Sequence, residues 1–175
     1  MNNDKLVSIE DTRFIFTTNF AGDPARDTFG SDRRQCNIVI PDPQLADELA
    51  NEGFNVKETR PRPGEEEGFV PDYFVKVSMN YDSKWPPRIY LVSGDNEPRL
   101  LDEDSVSALD DMRVENVNVV LSKYYNERVR KWSLYVKTMY VEQRLEDDPF
   151  AARYARRGRR CEPAEYEGPE EVPFN

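Results

Sequence analysis

The segment DYFVKVSMNY, residues 72–81, alternates without interruption: Tyr73, Val75, Val77, Met79 and Tyr81 fall on one side of an extended chain, and Phe74, Lys76, Ser78 and Asn80 on the other. Successive side chains of a strand point to opposite faces, so this period of two predicts a half-buried β-strand and excludes an amphipathic helix. Similar segments recur at short, even spacing. LVSIEDTRFIFTTNF predicts a first strand ending near Phe20, and NFAGDPARDTFGSD a long loop punctuated by Gly and Pro. RRQCNIVIPD predicts a second strand, with Cys36, Ile38 and Ile40 on one face and Arg33, Gln35 and Asn37 on the other.

Two short helices interrupt the series. Asp42 followed by Pro43 suits a helix start, because the carboxylate caps free amides and proline is tolerated in the first turn. QLADELANEG then puts Leu45 and Leu49 on one side, and Gly53 suits a left-handed C-terminal cap. LLDEDSVSALDDM predicts a second helix capped by Asp102. Between them lie a short strand in FNVKETRPRP, the solvated loop PGEEEG, and RIYLVSG, in which Arg88, Tyr90 and Val92 oppose Ile89 and Leu91. VENVNVVLSKYY and KWSLYVKTMYVEQ, joined by the basic turn NERVR, complete the set. Many short strands with no βαβ rhythm predict a mainly β fold, an OB-like barrel of five to seven strands with two short helices.

After Gln143 the pattern dissolves. A one- or two-turn helix around Ala151 to Tyr154, the basic knot RRGRR and an acidic tip follow, with too little apolar periodicity to pack. The chain is therefore divided into a domain, residues 1–148, and a flexible tail, residues 149–175.

Charge is segregated along the 175 residues. The net formal charge is −10, which taken as a sum opposes affinity for a polyanion. Yet residues 162–175 carry five glutamates and no basic side chain, whereas KYYNERVRKWSLYVK, residues 123–137, holds five basic residues against one acidic. Local patches thus decide the partner. The chain has no histidine and two distant cysteines, Cys36 and Cys161, which excludes a zinc site of the usual ligand spacing and a histidine-based triad. Cys36, alternating with Ile38 and Ile40, reads as a core residue, and Cys161 as an incidental free thiol beside RRGRR. No apolar run of membrane-spanning length and no signal-peptide pattern follows Met1, so the expected location is the reducing cytoplasm, with no membrane contact.

Single strands are bound with little sequence preference by basic side chains that meet phosphates and aromatic faces on which bases stack. The last hairpin supplies both, through Lys123, Tyr125, Arg128, Arg130, Lys131, Trp132, Tyr135 and Lys137. Phe74 and Lys76 share a face of the central strand, Trp85, Arg88 and Tyr90 lie in or after its turn, and Arg33 and Arg34 add charge from the second strand. The competing reading makes many of these aromatics ordinary core or cross-strand pairs. Asp72, Asp82 and Lys84 also match a Pro-Asp, spacer, Asp-x-Lys magnesium-nuclease pattern, but Asp82 and Lys84 fall in the proline-broken turn YDSKWPP rather than within a strand. No cofactor is expected.

The ordered series NFAG, RRQCNIVIPD, GFNVK, DYFVKVSMNY, PPRIYLVS, LDEDSVSALDD, VENVNVVLSKYY and LYVKTMYVEQ, over about residues 12–145, resembles a family of bacteriophage single-stranded-DNA-binding proteins with an OB fold. The resemblance implies a non-enzymatic protein that coats and protects transient single strands during phage DNA replication or recombination, in the cytoplasm of the infected cell. EEVPFN, with Glu170, Glu171, Val172, Pro173 and Phe174, resembles the acidic C-terminal tips of bacterial single-stranded-DNA-binding proteins. Glutamate here replaces aspartate, and Asn175 follows the phenylalanine. That likeness implies docking of replication or recombination proteins, while the glutamates are expected to compete with DNA for the basic groove. Self-association on DNA is a further partner compatible with the family. The alternatives are an acidic interaction module or DNA mimic acting on a host enzyme and, ranked third, the magnesium nuclease.

Overall fold

The structure, a computed structural model, describes residues 5–144. The proposed boundary near residue 148, the short helix, the basic knot, Cys161 and the acidic tip lie outside the described residues. Nine strands form one mixed sheet: β1 (Leu6–Thr12), β2 (Phe14–Asn19), β3 (Arg34–Ile40), β4 (Lys57–Glu58), β5 (Tyr73–Met79), β6 (Arg88–Val92), β7 (Arg99–Leu101), β8 (Val114–Asn126) and β9 (Lys131–Gln143). The main path runs β1-β8-β9-β5-β3-β2, with β4 added to β5 and the β6–β7 hairpin to β9. The contacts of β9 with β5 and with β6 are parallel, and the other pairings are antiparallel.

The two ends of that path are consecutive in sequence. The single first strand predicted from the sequence is divided at Arg13, where β1 turns to β8 and β2 to β3. One straight strand cannot pair with neighbours at opposite ends of a sheet, and the chain bends accordingly. Asp11 and Phe16 take φ of 53° and 64°, and both ladders shift register there. The bend is held by Thr12 Oγ1 donating to the Val39 carbonyl, and by Val39 N–H donating to the Arg13 carbonyl at 3.1 Å. The hydrogen-bonded ladder is not a closed ring, but the covalent chain joins its ends, which yields an OB-like architecture. The OB fold is a partly open barrel of this kind.

Alternation on β3 and β5 sends Cys36, Ile38, Ile40, Val75, Val77 and Met79 into the core, where they meet Phe20, Ile89, Val117, Leu121, Leu134 and Met139. Burial pushes the Cys36 thiol well above its ordinary pKa, in keeping with a structural role. Helix α1 (Pro43–Glu52) starts as predicted: Asp42 Oδ1 accepts from Gln44 N at 3.0 Å, and Gly53 ends it at φ 109°. Its fully buried residues are Ala46 and Leu49, while Leu45 is half-buried at the edge of the core. Among the described residues no helix is long and apolar enough to cross a membrane.

Three expectations change. The second helix is a 3₁₀ helix, Val106–Asp111, with Ser105 at its N-cap. Asp102 instead closes the preceding turn, accepting from Ser105 N at 2.8 Å and Asp104 N at 3.0 Å. Its six residues suit the tighter i to i+3 bonding of a short connector. FNVKETRPRP contributes only Lys57–Glu58 to the sheet, because Pro61 and Pro63 cannot donate to a ladder. Leu100 and Leu101, assigned to the helical segment from sequence, instead join Arg99 in β7 against β6.

Candidate nucleic-acid interface

On β3 and β5 the register pairs Gln35 with Ser78, Asn37 with Lys76 and Val39 with Phe74. These positions alternate with the core pairs Cys36–Val77 and Ile38–Val75, so they form the sheet's outer face. β9 lies parallel beside β5 at only two pairs, Val77 with Leu134 and Ser78 with Tyr135. Toward their N-terminal ends the two strands diverge, and the α1–β4 connection enters the opening. The result is a groove of about 230 Å³ walled by Arg33, Gln35, Asn37, Lys76 and Ser78 on one side and Lys131, Trp132 and Ser133 on the other. Phe54, Asn55, Lys57 and Phe74 close one end.

Four of the lining residues, Arg33, Lys57, Lys76 and Lys131, are basic and none is acidic. In a chain of net charge −10 this is a concentrated exception. The remaining polar lining consists of the amides Gln35, Asn37 and Asn55 and the hydroxyls Ser78 and Ser133. Basic side chains suit phosphates, and amides suit base edges or sugars. The Asp27 carboxylate, which accepts from the lining residue Gln35 at 3.0 Å, is already engaged. Bonds from the Ser31 and Phe29 N–H groups hold its carboxyl below the usual carboxylate range, helped by the Lys76 charge and a bond from Gln35.

Five residues picked from the sequence line this groove: Arg33, Phe74, Lys76, Lys131 and Trp132. Phe74 is nearly buried and meets Phe16 edge-on at 5.1 Å. Trp132 is 37% exposed, packed against Phe54 at 5.4 Å and Tyr125 at 5.1 Å, which leaves part of its ring free. Four more residues continue the same outer surface. Tyr135 stands beside Ser78, and Lys137 follows it on β9 at the bulge opposite Val120 and Leu121. Beyond them the β6–β9 register places Arg88 beside Thr138 and Tyr90 beside Tyr140, whose rings stack at 4.8 Å and 10°.

The other six lie elsewhere. Arg34 is drawn to the opposite side: its guanidinium donates to the Phe20 carbonyl at 2.7 Å, pairs with Glu103 at 3.6 Å and sits 5.1 Å above the Tyr81 ring. Lys123 and Tyr125 occupy the inner face of the β8–β9 hairpin, where Lys123 pairs with Glu52 at the end of α1 at 2.7 Å. Arg128 and Arg130 are exposed in the hairpin turn. Trp85 is 82% exposed in the β5–β6 turn, with the Lys84 ammonium 5.7 Å from its ring centre. Glu170, Glu171, Val172, Pro173 and Phe174 lie outside the described residues.

Phe54, Asn55 and Lys57 were missed because no local pattern marks them; helix packing and the divergence of β5 from β9 bring them to the groove. Gln35 and Asn37 were legible as outward positions, but their residue type carries no strong signal. The nuclease pattern is broken by geometry. Asp72 and Asp82 sit beyond opposite ends of the seven-residue β5, roughly 23 Å of extended chain, and Asp72 is paired with Arg13 at 2.8 Å. Among the described residues no group of three or more His, Cys, Asp or Glu side chains is placed to hold a metal.

Comparison with solved structures gives the single-stranded DNA-binding protein from bacteriophage Enc34. Its C-terminal truncation aligns at a TM-score of 0.47 and 11% identity, covering 82% of this chain and 88% of that one. The protein without truncation aligns at 0.42 and 10%, covering 83% and 84%. No curated protein matches the chain. The family model described as "Putative phage ssDNA-binding domain" matches residues 2–162, nearly the whole length. By that match, the chain belongs to the phage single-stranded-DNA-binding domain family, a family of binding proteins and not of enzymes.

Proposed function

We propose that the protein coats and protects single-stranded DNA during phage DNA replication or recombination, in the cytoplasm of the infected cell, with little dependence on base sequence. Family membership supports the ligand, and the acid-free groove with four basic residues is the observation that carries the mode of binding. Arg33, Lys57, Lys76 and Lys131 hold phosphates. Trp132 offers a partly free ring, and Tyr135, Lys137, Arg88 and the Tyr90–Tyr140 stack extend the path along β9 and β6. Val172–Phe174 would dock a replication or recombination protein, with the adjacent glutamates competing for the groove.

The test is an anisotropy titration of labelled oligo(dT) against the same oligonucleotide in duplex form, repeated over a salt series. Single strands lose about 0.7 in log–log slope per neutralised phosphate, so four contacts give a slope of about −3. Equal or tighter duplex binding, or no binding to either, would sink the proposal.

A further inference from the structure

Phe29 is the most exposed large apolar side chain among the described residues, at 94%, yet its backbone is held by a dense set of bonds. Asp27 Oδ2 accepts from Phe29 N at 2.8 Å and Ser31 N at 3.0 Å, and the Asp27 carbonyl accepts from Gly30 N at 3.1 Å. Gly30 takes φ +74°, a conformation that favours glycine. Asp27 Oδ1 accepts from Gln35 Nε2 at 3.0 Å, and Gln35 lines the groove. The turn Asp27–Ser31 therefore stands on the groove's rim.

Both ends of the loop are anchored too. At its start, the nearly buried Asp110 carboxylate accepts from Phe20 N at 2.7 Å, Thr18 Oγ1 at 2.8 Å and Ala21 N at 3.0 Å. Asn19 and Asp23 exchange side-chain and backbone bonds at 2.9 and 3.0 Å. At its end the chain passes Ser31, whose hydroxyl accepts from Arg33 N at 3.1 Å, and enters the groove wall at Arg33.

A single exposed apolar residue needs no explanation in general. A fully exposed phenyl ring on a turn tied through Asp27 to the groove-lining Gln35 is different, because the fixed backbone keeps an apolar face close to whatever occupies the groove. An unstacked nucleobase offers the complementary face, and stacking of this kind tolerates every base. We propose that Phe29 stacks on a base at the rim of the groove and that Asp27 is the positioning residue that aims it. This rests on the single-strand reading of the groove.

The experiment uses the full chain and fluorescein-labelled oligo(dT). Phe29→Ala and Phe29→Leu are expected to weaken binding roughly 5- to 150-fold, the range for one lost stacking contact, while Phe29→Tyr stays near the parent. Melting midpoints should not move, since the ring buries almost nothing. Asp27→Ala should weaken binding and lower the midpoint by a few degrees at most, since it removes bonds confined to one surface turn, and the double variant Asp27→Ala/Phe29→Ala should bind no more weakly than Phe29→Ala alone, because the carboxylate acts through the ring. Parent-like affinity for Phe29→Ala overturns the proposal, and parent-like affinity for Phe29→Leu overturns stacking as its basis. Additive losses in the double variant overturn the positioning role. If the parent protein itself fails to bind oligo(dT), the reading of the groove falls instead, a result separate from all of these.

Discussion

The two faces of the β8–β9 hairpin are made from the same ingredients and have opposite fates. Lys123, Tyr125 and Trp132 point inward at the hairpin's end, where Lys123 pairs with Glu52 and Trp132 packs on Phe54 and against Gly53. Tyr124, Tyr135 and Lys137 point outward, with the two tyrosines meeting edge-on at 6.0 Å. Both sets are basic and aromatic. One braces helix α1 and the other continues the groove, so basic-aromatic composition marks a hairpin and alternation assigns its work. Trp132 belongs partly to each, since it also lines the groove.

That contrast can be broken by substitution, starting where the largest effect is expected. Phe54→Ala removes a buried ring from beneath Trp132 and should cost about 3–5 kcal/mol in denaturant unfolding. A loss under about 1 kcal/mol would mean that the inner face does not brace the fold. On the outer side, the double variant Lys76→Glu/Lys131→Glu should weaken oligo(dT) binding by roughly a hundredfold or more in low salt and flatten the salt dependence, with its melting midpoint nearly unchanged. Retained affinity would place the DNA path elsewhere.

Gly53→Ala should destabilise by about 1–3 kcal/mol, because φ is +109° and a Cβ would lie 2.9 Å from Trp132 Cδ1. Affinity should fall with it only insofar as the indole is displaced from the groove, which tryptophan fluorescence of the free protein would reveal. Lys123→Met should change stability by about 1 kcal/mol or less and leave the salt slope of DNA binding untouched, since Glu52 is half-exposed and stays hydrated without its partner, while methionine keeps most of the packing of the largely covered lysine stem. A reduced slope would show that Lys123 neutralises a phosphate after all.

The smallest effect is with pH. The Asp27 carboxyl is depressed in the folded state by the Ser31 and Phe29 N–H groups, so its contribution is fully present above the ordinary carboxylate pKa of 3.8 and is lost as pH falls through the lower folded value. Amide exchange at Phe29 and Ser31 should therefore stay constant from neutral pH down to about 4 and rise, relative to the intrinsic rate, only in stronger acid.

Much of the local structure was legible. The alternation of Cys36, Ile38 and Ile40 named a buried face, and Asp42, Pro43 and Gly53 bracketed α1 almost to the residue. The outward placement of Arg33, Phe74 and Lys76 followed from the same rule. Arg34 was not legible, because its guanidinium is drawn to the Phe20 carbonyl and to Glu103, sixty-nine residues away in sequence. Nor was Asp110, which reads as one more acid in an acidic run yet ties the 3₁₀ helix to the start of the Phe29 loop.

By itself, then, the sequence determined a mainly β chain, the two faces of each long strand, the helix ends and the segregation of charge. These depend on periods and caps that act within a few residues. Only the tertiary structure decided that the first strand bends at Arg13 to join both ends of the sheet, that β5 and β9 part after two pairs, and that Lys57 and Asn55 fill the gap. Such outcomes depend on which distant segments lie side by side. Burial of a shared core and the pairing of every backbone group select those neighbours, and no local period encodes that choice.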